Sequence, residues 1–395
     1  MPSSTQLAGI EGFAVEGFGP VADAFAANFT EGLEVGAACC VYVDGRPVVD
    51  LWAGLADPAT GMPWREDTPT VIFSISKALL AVLAHQQVED GRLDLDRPIA
   101  EYWPEFAQAG KSAIPVRWVL NHRAGLMAVD RNLSLDEVLA WTPVIKAIEV
   151  QAPLWEPGST WQYHPLTFGW LIGEVLRRIT GRTPGDLLRS RVVDPLHLDL
   201  WLGLPEAEEP RVANRVRAVD EATEEPDSVV ERARTMGSAF AGSLAAVFND
   251  RRIHSAEVPA AGAIGTAQAL AKMMAATVAE VAGIRLLRPD TVAGLIRPES
   301  ESPSWLGTES VQERFSAGFM LDSDACRLLG PASFGHDGAG GELAFADIEH
   351  RVGFGYVASQ MGDADDPRAH RLVTALRSCL VAGQPRTAAR RRPGQ

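Results

Sequence analysis

Residues 78–84, Ala-Leu-Leu-Ala-Val-Leu-Ala, constrain this chain more than any other stretch. No Gly or Pro interrupts the sequence until Gly91, and apolar residues fall on nearly every helical face, so the spacing predicts a helix buried on all sides. Such a helix needs a thick core around it. A chain of 395 residues, 46% hydrophobic and 22% charged, can build one. That length suits two or three domains, or one domain of two lobes.

The residues leading into this helix carry chemistry. In Phe73-Ser74-Ile75-Ser76-Lys77 the serine stands at the helix N-terminus, and Lys77, one turn on, projects from the same side within reach of the hydroxyl. A cation in the first turn opposes the helix dipole, and burial among Leu and Val strips its hydration. Both effects favour the neutral amine, which can act as a base toward a serine nucleophile. Unpaired N–H groups at the helix start would stabilise negative charge beside Ser74. The plainer alternative is a serine cap with a lysine snorkelling to water, because S-x-x-K fixes only two letters.

Charge and composition narrow the partners. A net charge of −15 argues against nucleic acid or an anionic membrane. The basic cluster of Arg386 with Arg390, Arg391 and Arg392 reads as a solvated tail. Of four cysteines, Cys39 and Cys40 are adjacent while Cys326 and Cys379 stand alone, so no disulfide framework is expected. There is no H-E-x-x-H, C-x-x-C, P-loop or G-x-S-x-G, and no metal or cofactor is expected. The first six residues lack the marks of a signal peptide, and no apolar run is long enough to span a membrane. A reducing cytoplasm is the expected location.

Along the chain, residues 20–29 have helical spacing, and 37–43 and 47–54 form a hairpin turning at Asp44-Gly45. Residues 116–126 read as a short helix stopped by Gly125, followed by helices at 135–140, 143–149 and 168–179, and one at 266–278 capped by Thr266. His122 reads as a buried structural residue. Tyr163, one of four tyrosines, lies on the lead-in to the 168–179 helix, where a phenolate would gain from the dipole. Residues 205–235, with Glu206, Glu208, Glu209, Glu221, Glu224 and Glu225, read as a long acidic surface excursion that could border a cleft. Residues 315–321, 343–347 and 352–359 are strand-like, and a last helix covers about 368–380. Strands at both ends with helices between predict an α/β (α+β) fold: an antiparallel sheet from both chain ends, flanked by helices, with a mostly helical insert. Residues 1–72 and 310–395 are expected to form the α/β lobe and 73–309 the helical one.

Ser74-Ile75-Ser76-Lys77, then Glu156-Pro157-Gly158 and Tyr163, then Phe334-Gly335-His336-Asp337-Gly338-Ala339-Gly340-Gly341, follow one another in the order and rough spacing of a known group. The chain resembles the serine β-lactamase and penicillin-binding-protein superfamily over nearly its whole length, and most closely the class C-like branch that includes the family VIII carboxylesterases. The resemblance implies a β-lactamase/transpeptidase-like fold and catalysis by Ser74, Lys77 and Tyr163. It also implies an oxyanion hole made by the N–H groups of Ser74 and Ala339. Relatives have Y-x-N where this chain has Tyr163-His164-Pro165, and Pro165 offers no side-chain amide. Their K-T-G or H-x-G is His336-Asp337-Gly338 here, and a carboxylate at Asp337 would repel an anionic β-lactam. An L-x-H-x-S-G-L segment of relatives corresponds to residues 120–126 and is read as structural.

The implied activity is hydrolysis of short to medium acyl esters through a Ser74 acyl-enzyme, with a small-molecule ester as the partner. Trp155, His164, His336, Asp337 and Gly338 are the expected substrate contacts, and Trp155 and Trp161 either wall an acyl pocket or pack in the core. The alternatives are a β-lactamase, D-aminopeptidase or small-amide hydrolase, an acyltransferase, or a sensor acylated without turnover.

Overall fold

Two positive backbone angles, φ 49° at Asp44 and 75° at Gly45, form the hairpin turn expected there. The computed structural model describes residues 9–216, 228–308, 311–362 and 366–383. Within it the turn joins the second and third of three N-terminal strands, β1 (Ile10–Ala14), β2 (Gly36–Val43) and β3 (Arg46–Asp57). Short β4 (Met62–Pro63) pairs with β3, and β5 (Thr70–Val71) leads directly to Ser74. In the chain's middle lie β6 (Leu200–Trp201) and β7 (Ile264–Gly265), which complete a three-stranded sheet in the order β5-β7-β6.

Six strands follow: β8 (Ser300–Glu301), β9 (Arg314–Phe315), β10 (Met320–Leu321), β11 (Ser333–Asp337), β12 (Leu343–Asp347) and β13 (Val352–Ala358). They join β1–β3 in a large antiparallel sheet ordered β1-β3-β2-β13-β12-β11-β10-β9-β8. The two chain ends meet where β2 pairs with β13, from Ala37 opposite Ala358 to Val43 opposite Val352.

Both faces of this sheet are covered. Ala37, Cys39 and Val41 pack with the Gly19–Thr30 and Arg368–Gly383 helices, while Ala38, Cys40 and Tyr42 pack with the Ala267–Val278 helix. That explains why β2 is apolar throughout rather than alternating. The Ala267–Val278 helix lies so close that a Cβ at Gly353 or Gly355 would stand 2.2 Å from Ala271 O or 2.4 Å from Ala267 O. Small residues on both partners permit the approach.

The predicted apolar helix runs from Ile75 to Glu89, and every residue from Ile75 to Gln87 is buried. Gly91, at φ 72°, stops it. Around it pack the Thr167–Thr180 helix, closed by left-handed Gly181, and the Ala267–Val278 helix, whose Thr266 side chain accepts from the Ala269 N–H.

Two expectations are corrected. The helix at 116 ends at Leu120 rather than near Gly125, because Asn121 closes it and His122 turns to φ 65° to meet the 162–164 segment. Residues 315–321 form two strands and a turn rather than one strand, with Gly318 at φ 102°. Strand β8 and the Ala267–Val278 helix fall inside 73–309 and belong to the large sheet and its cover. The acidic excursion contains a 3₁₀ turn at Glu206–Arg211 and a helix at Val229–Thr235. Glu221, Glu224, Glu225 and the arginines from Arg386 to Arg392 lie outside the described residues. Among the described residues no helix is long and apolar enough to cross a membrane.

Candidate active site

The chain reaches Ser74 through a strained residue. Phe73 holds φ 44°, a left-handed conformation that costs a bulky side chain about 1–3 kcal/mol and persists only where its surroundings impose it. Here Ser76 imposes it. The Ser76 hydroxyl donates to Phe73 O at 2.5 Å and accepts from the Ala263 N–H at 3.1 Å, tying the helix head to β7. The Ile72 N–H donates to Ala263 O at 2.9 Å, which secures the other side of the bend.

Ser74 emerges half-buried at the helix N-terminus, with Lys77 and Tyr163 converging on it. Lys77 Nζ and Tyr163 Oη each lie 2.9 Å from Ser74 Oγ. The amine also bonds Ala260 O at 3.1 Å and sits 4.8 Å from the centre of the Tyr163 ring. Lys77 is fully buried. Loss of hydration brings its pKa down to about 7, opposed by the nearby Asp337 carboxylate. Burial also pushes Tyr163 well above the ordinary phenol range, more than the Ser74 hydrogen bond offsets. Burial thus favours the phenol over the phenolate that the dipole would help; the Thr167–Thr180 helix begins four positions further on.

Behind Tyr163 stands His122. Its carbonyl accepts the Gln162 N–H at 3.0 Å and its Nδ1 accepts the His164 N–H at 3.2 Å, so the two neighbours of Tyr163 are fixed to one residue. The left-handed bend at His122 is what presents both acceptors. Burial holds His122 far below its ordinary pKa and brings His164 to about 4, so both rings are neutral.

A cavity of about 420 Å³ opens on Ser74, and Tyr163, Pro165 and Ala339 also line it. Met127, Leu166, Val230, Leu244, Phe248 and Leu306 make its walls largely apolar, while Arg234 and Glu313 add charge. Ala339 follows the end of β11. Among the described residues neither the Ser74 N–H nor the Ala339 N–H has a hydrogen-bond acceptor. Two free donors beside a serine hydroxyl form a place where a carbonyl oxygen can gain negative charge.

The other expected substrate contacts fare unevenly. His164 is buried away from the cavity, with Nε2 accepting from Leu126 N–H at 3.1 Å and Nδ1 bonded to Gln162 O at 2.6 Å. It braces the loop instead of touching substrate. Trp155 also points away, packing on Trp305 at 5.0 Å and edge-on to His164. Trp161 donates to Glu301 O and packs on Phe315. His336 is buried on β11, its Nδ1 bonded to Asp337 O at 2.8 Å and its ring 6.0 Å from that of Tyr163, and it does not line the cavity. Asp337 is half-exposed. Gly338 runs against the chain before Ser74, where a Cβ would stand 3.0 Å from Ile72 O.

Sequence reasoning missed most of the apolar wall. Val230 and Ala233 come from the Val229–Thr235 helix, signalled by Ser228 and Glu231 at capping spacing; Ser228 Oγ accepts from Glu231 N–H at 3.0 Å. Leu244 and Phe248 carry no local signal. Among the described residues no cluster of His, Cys, Asp or Glu is placed to hold a metal ion.

Fold and site together define a serine hydrolase on the β-lactamase/transpeptidase plan. The beta-lactamase family model matches residues 25–377. "Esterase/beta-lactamase LipL" of Mycobacterium tuberculosis is 34% identical over 357 residues, which cover 87% of this chain and 81% of that protein. Among solved structures, a family VIII carboxylesterase superposes with a TM-score of 0.85 at 34% identity, covering 94% of this chain and 99% of that one. A penicillin-binding-protein homologue from Caulobacter crescentus gives 0.85 at 35% identity with the same 94% and 99% coverage. EstA from Arthrobacter nitroguajacolicus gives 0.86 at 30%, again covering 94% and 99%. The chain belongs to the beta-lactamase family.

Proposed function

We propose that the protein is a carboxylesterase that cleaves short to medium acyl esters through a covalent Ser74 acyl-enzyme. The observation carrying this reading is the convergence of Lys77 Nζ and Tyr163 Oη, each 2.9 Å from Ser74 Oγ. With its pKa near 7, Lys77 exists substantially as free amine at neutral pH and can take the Ser74 proton as Oγ bonds to the ester carbonyl carbon. The Ser74 and Ala339 N–H groups receive the resulting oxyanion. As the C–O bond to the alcohol breaks, the proton passes from Lys77 through the Tyr163 hydroxyl to the departing alkoxide. Water then attacks the acyl carbon, giving its proton to the same pair, and the proton returns to Ser74 as the acid leaves.

Three features favour a neutral ester over a β-lactam. Pro165 stands where relatives offer an amide, Asp337 sets a carboxylate near Lys77, and the cavity wall is mainly apolar. At about 420 Å³ the cavity lies toward the small end of ligand pockets, roughly 300–1,000 Å³, which suits short or medium acyl chains. The family VIII carboxylesterase structure and LipL, which is named an esterase/beta-lactamase, are each 34% identical to this chain and are consistent with ester cleavage. Four free, buried cysteines support a reducing cytoplasm as the place of action.

The test compares wild type with Ser74→Ala on p-nitrophenyl acetate and butyrate and on a chromogenic cephalosporin. Ester turnover abolished by the substitution supports the reading. Full ester activity in Ser74→Ala overturns it, as does rapid cephalosporin turnover without ester hydrolysis.

A further inference from the structure

Behind the cavity wall lies an ion pair that the mechanism above does not use. Glu342 and Arg215 are buried, with the Arg215 Nη2 in contact with Glu342 Oε1. They come from distant parts of the chain: Glu342 ends the turn after β11, and Arg215 lies shortly before the undescribed part of the acidic excursion.

Each partner grips one half of the oxyanion site. Glu342 Oε2 accepts the Gly340 N–H at 3.0 Å and Glu342 O accepts the Gly338 N–H at 2.8 Å, so the residues on both sides of Ala339 hang from one glutamate. On the other half, the Arg215 guanidinium lies 5.0 Å from the centre of the Phe73 ring, the strained residue that presents Ser74. Arg215 Nη1 reaches Ala358 O and, at 3.5 Å, Thr70 Oγ1, which anchor it to β13 and β5, and Nη2 also reaches Met361 Sδ at 3.3 Å. Arg368 adds a bond from Nη2 to Gly340 O at 3.0 Å. Gly340 leaves no slack, since a Cβ there would stand 1.8 Å from Arg215 Nη2 and 2.5 Å from Glu342 Oε1.

We infer that Arg215 and Glu342 are positioning residues that set the distance between the Ser74 N–H and the Ala339 N–H, and thereby stabilisation of the tetrahedral intermediate. The inference rests on the esterase reading for its turnover readout. Neither residue touches substrate; the pair joins the Phe73 bend to the Gly338–Gly340 turn across the core. A burial this complete would be a poor way to gain stability alone, because apolar residues of similar volume commonly serve as well.

The experiment contrasts two double variants. Arg215→Met with Glu342→Gln removes both charges but keeps an acceptor for the Gly340 N–H; Arg215→Met with Glu342→Met removes the acceptor as well. Deleting an oxyanion donor outright lowers kcat by about 10²–10³-fold. A displaced donor should therefore make the Met/Met variant lose at least about tenfold in kcat, with KM changed much less, and lose affinity for butylboronic acid in parallel. The Met/Gln variant should regain the part of both losses owed to the Gly340 N–H acceptor and keep only the part owed to the lost Arg215 contact with Phe73.

Equal kcat and equal boronate affinity in the two variants would overturn the inference. Gly340→Ala, which wedges the pair apart, provides a second arm should the Met/Met protein not fold; unchanged kcat and boronate affinity in folded Gly340→Ala would overturn the inference equally. Wild type and Ser74→Ala measured alongside judge the esterase reading separately. Boronate affinity reads the two N–H groups even in a protein that acylates without turnover.

Discussion

Lys77→Met should make the folded protein more stable at neutral pH while abolishing ester turnover. Burial lowers the Lys77 pKa from 10.5 to about 7, and that interval (10.5 − 7) corresponds to about 5 kcal/mol at ~1.36 kcal/mol per unit. Below pH 7 both folded and unfolded chains carry the ammonium and the native state bears the whole burden. Between pH 7 and about 10.5 the unfolded chain binds a proton that the folded one has released, so native stability rises with pH across that window. Methionine does not titrate and removes the burden, but the substitution forfeits the bonds to Ser74 at 2.9 Å and Ala260 at 3.1 Å, each worth ~1 kcal/mol. The variant should therefore gain about 3 kcal/mol at pH 7, falling by ~1.4 kcal/mol per pH unit and vanishing near pH 9. Urea unfolding of both proteins at pH 7, 8 and 9 measures this. A stability difference that is the same at all three pH values would refute the dry-amine argument, and so would a variant less stable than wild type at pH 7.

Two further outcomes follow from the same geometry. Ser76→Ala leaves the buried Ala263 N–H without its acceptor and releases the Phe73 carbonyl, so unfolding titrations should show a loss of ~1–3 kcal/mol, and kcat should fall as the bend at Phe73 relaxes. Asp337→Asn removes the charge that holds the Lys77 pKa up, so the acid limb of kcat/KM for p-nitrophenyl butyrate should move below the wild-type midpoint near pH 7; an upward move would contradict the assigned pairing.

Those features encoded within one turn or one hairpin were legible in the chain. Asp44-Gly45 specifies its turn through the φ values it tolerates, and Ser74 and Lys77 share a face because three residues make nearly one helical turn. Tyr163 was reachable through the order of motifs, but its neighbours were not. In the loop before the Thr167–Thr180 helix, Gln162 lines the cavity and Tyr163 meets Ser74, while His164 turns back to the Leu126 N–H. Which way each points is decided by His122, some 40 positions earlier (|i−j| = 42 for its bond to His164), and no local pattern records that. The helix that the sequence carries on to Gly125 ends at Leu120 for the same reason, since the left-handed turn at His122 is supported by those distant bonds. The wall from Val230 and Phe248 is likewise assembled by tertiary packing.

The site concentrates two unfavourable local states, a left-handed phenylalanine and a lysine without water, within five residues of sequence, Phe73 to Lys77. Neither could persist at the edge of a domain. An S-x-x-K on an amphipathic surface helix would keep its ammonium hydrated and its serine inert, because the lysine would gain more from water than from the hydroxyl. What separates this chain from such chance occurrences is the residues that follow, from Ala78 to Gln87, buried on every side and leaving Nζ only Ser74 Oγ and Ala260 O as hydrogen-bond partners among the described residues. The reactivity of Ser74 is thus a property of the packing around the helix. A substitution that lets water reach Lys77 should weaken it even where no residue at the cavity changes.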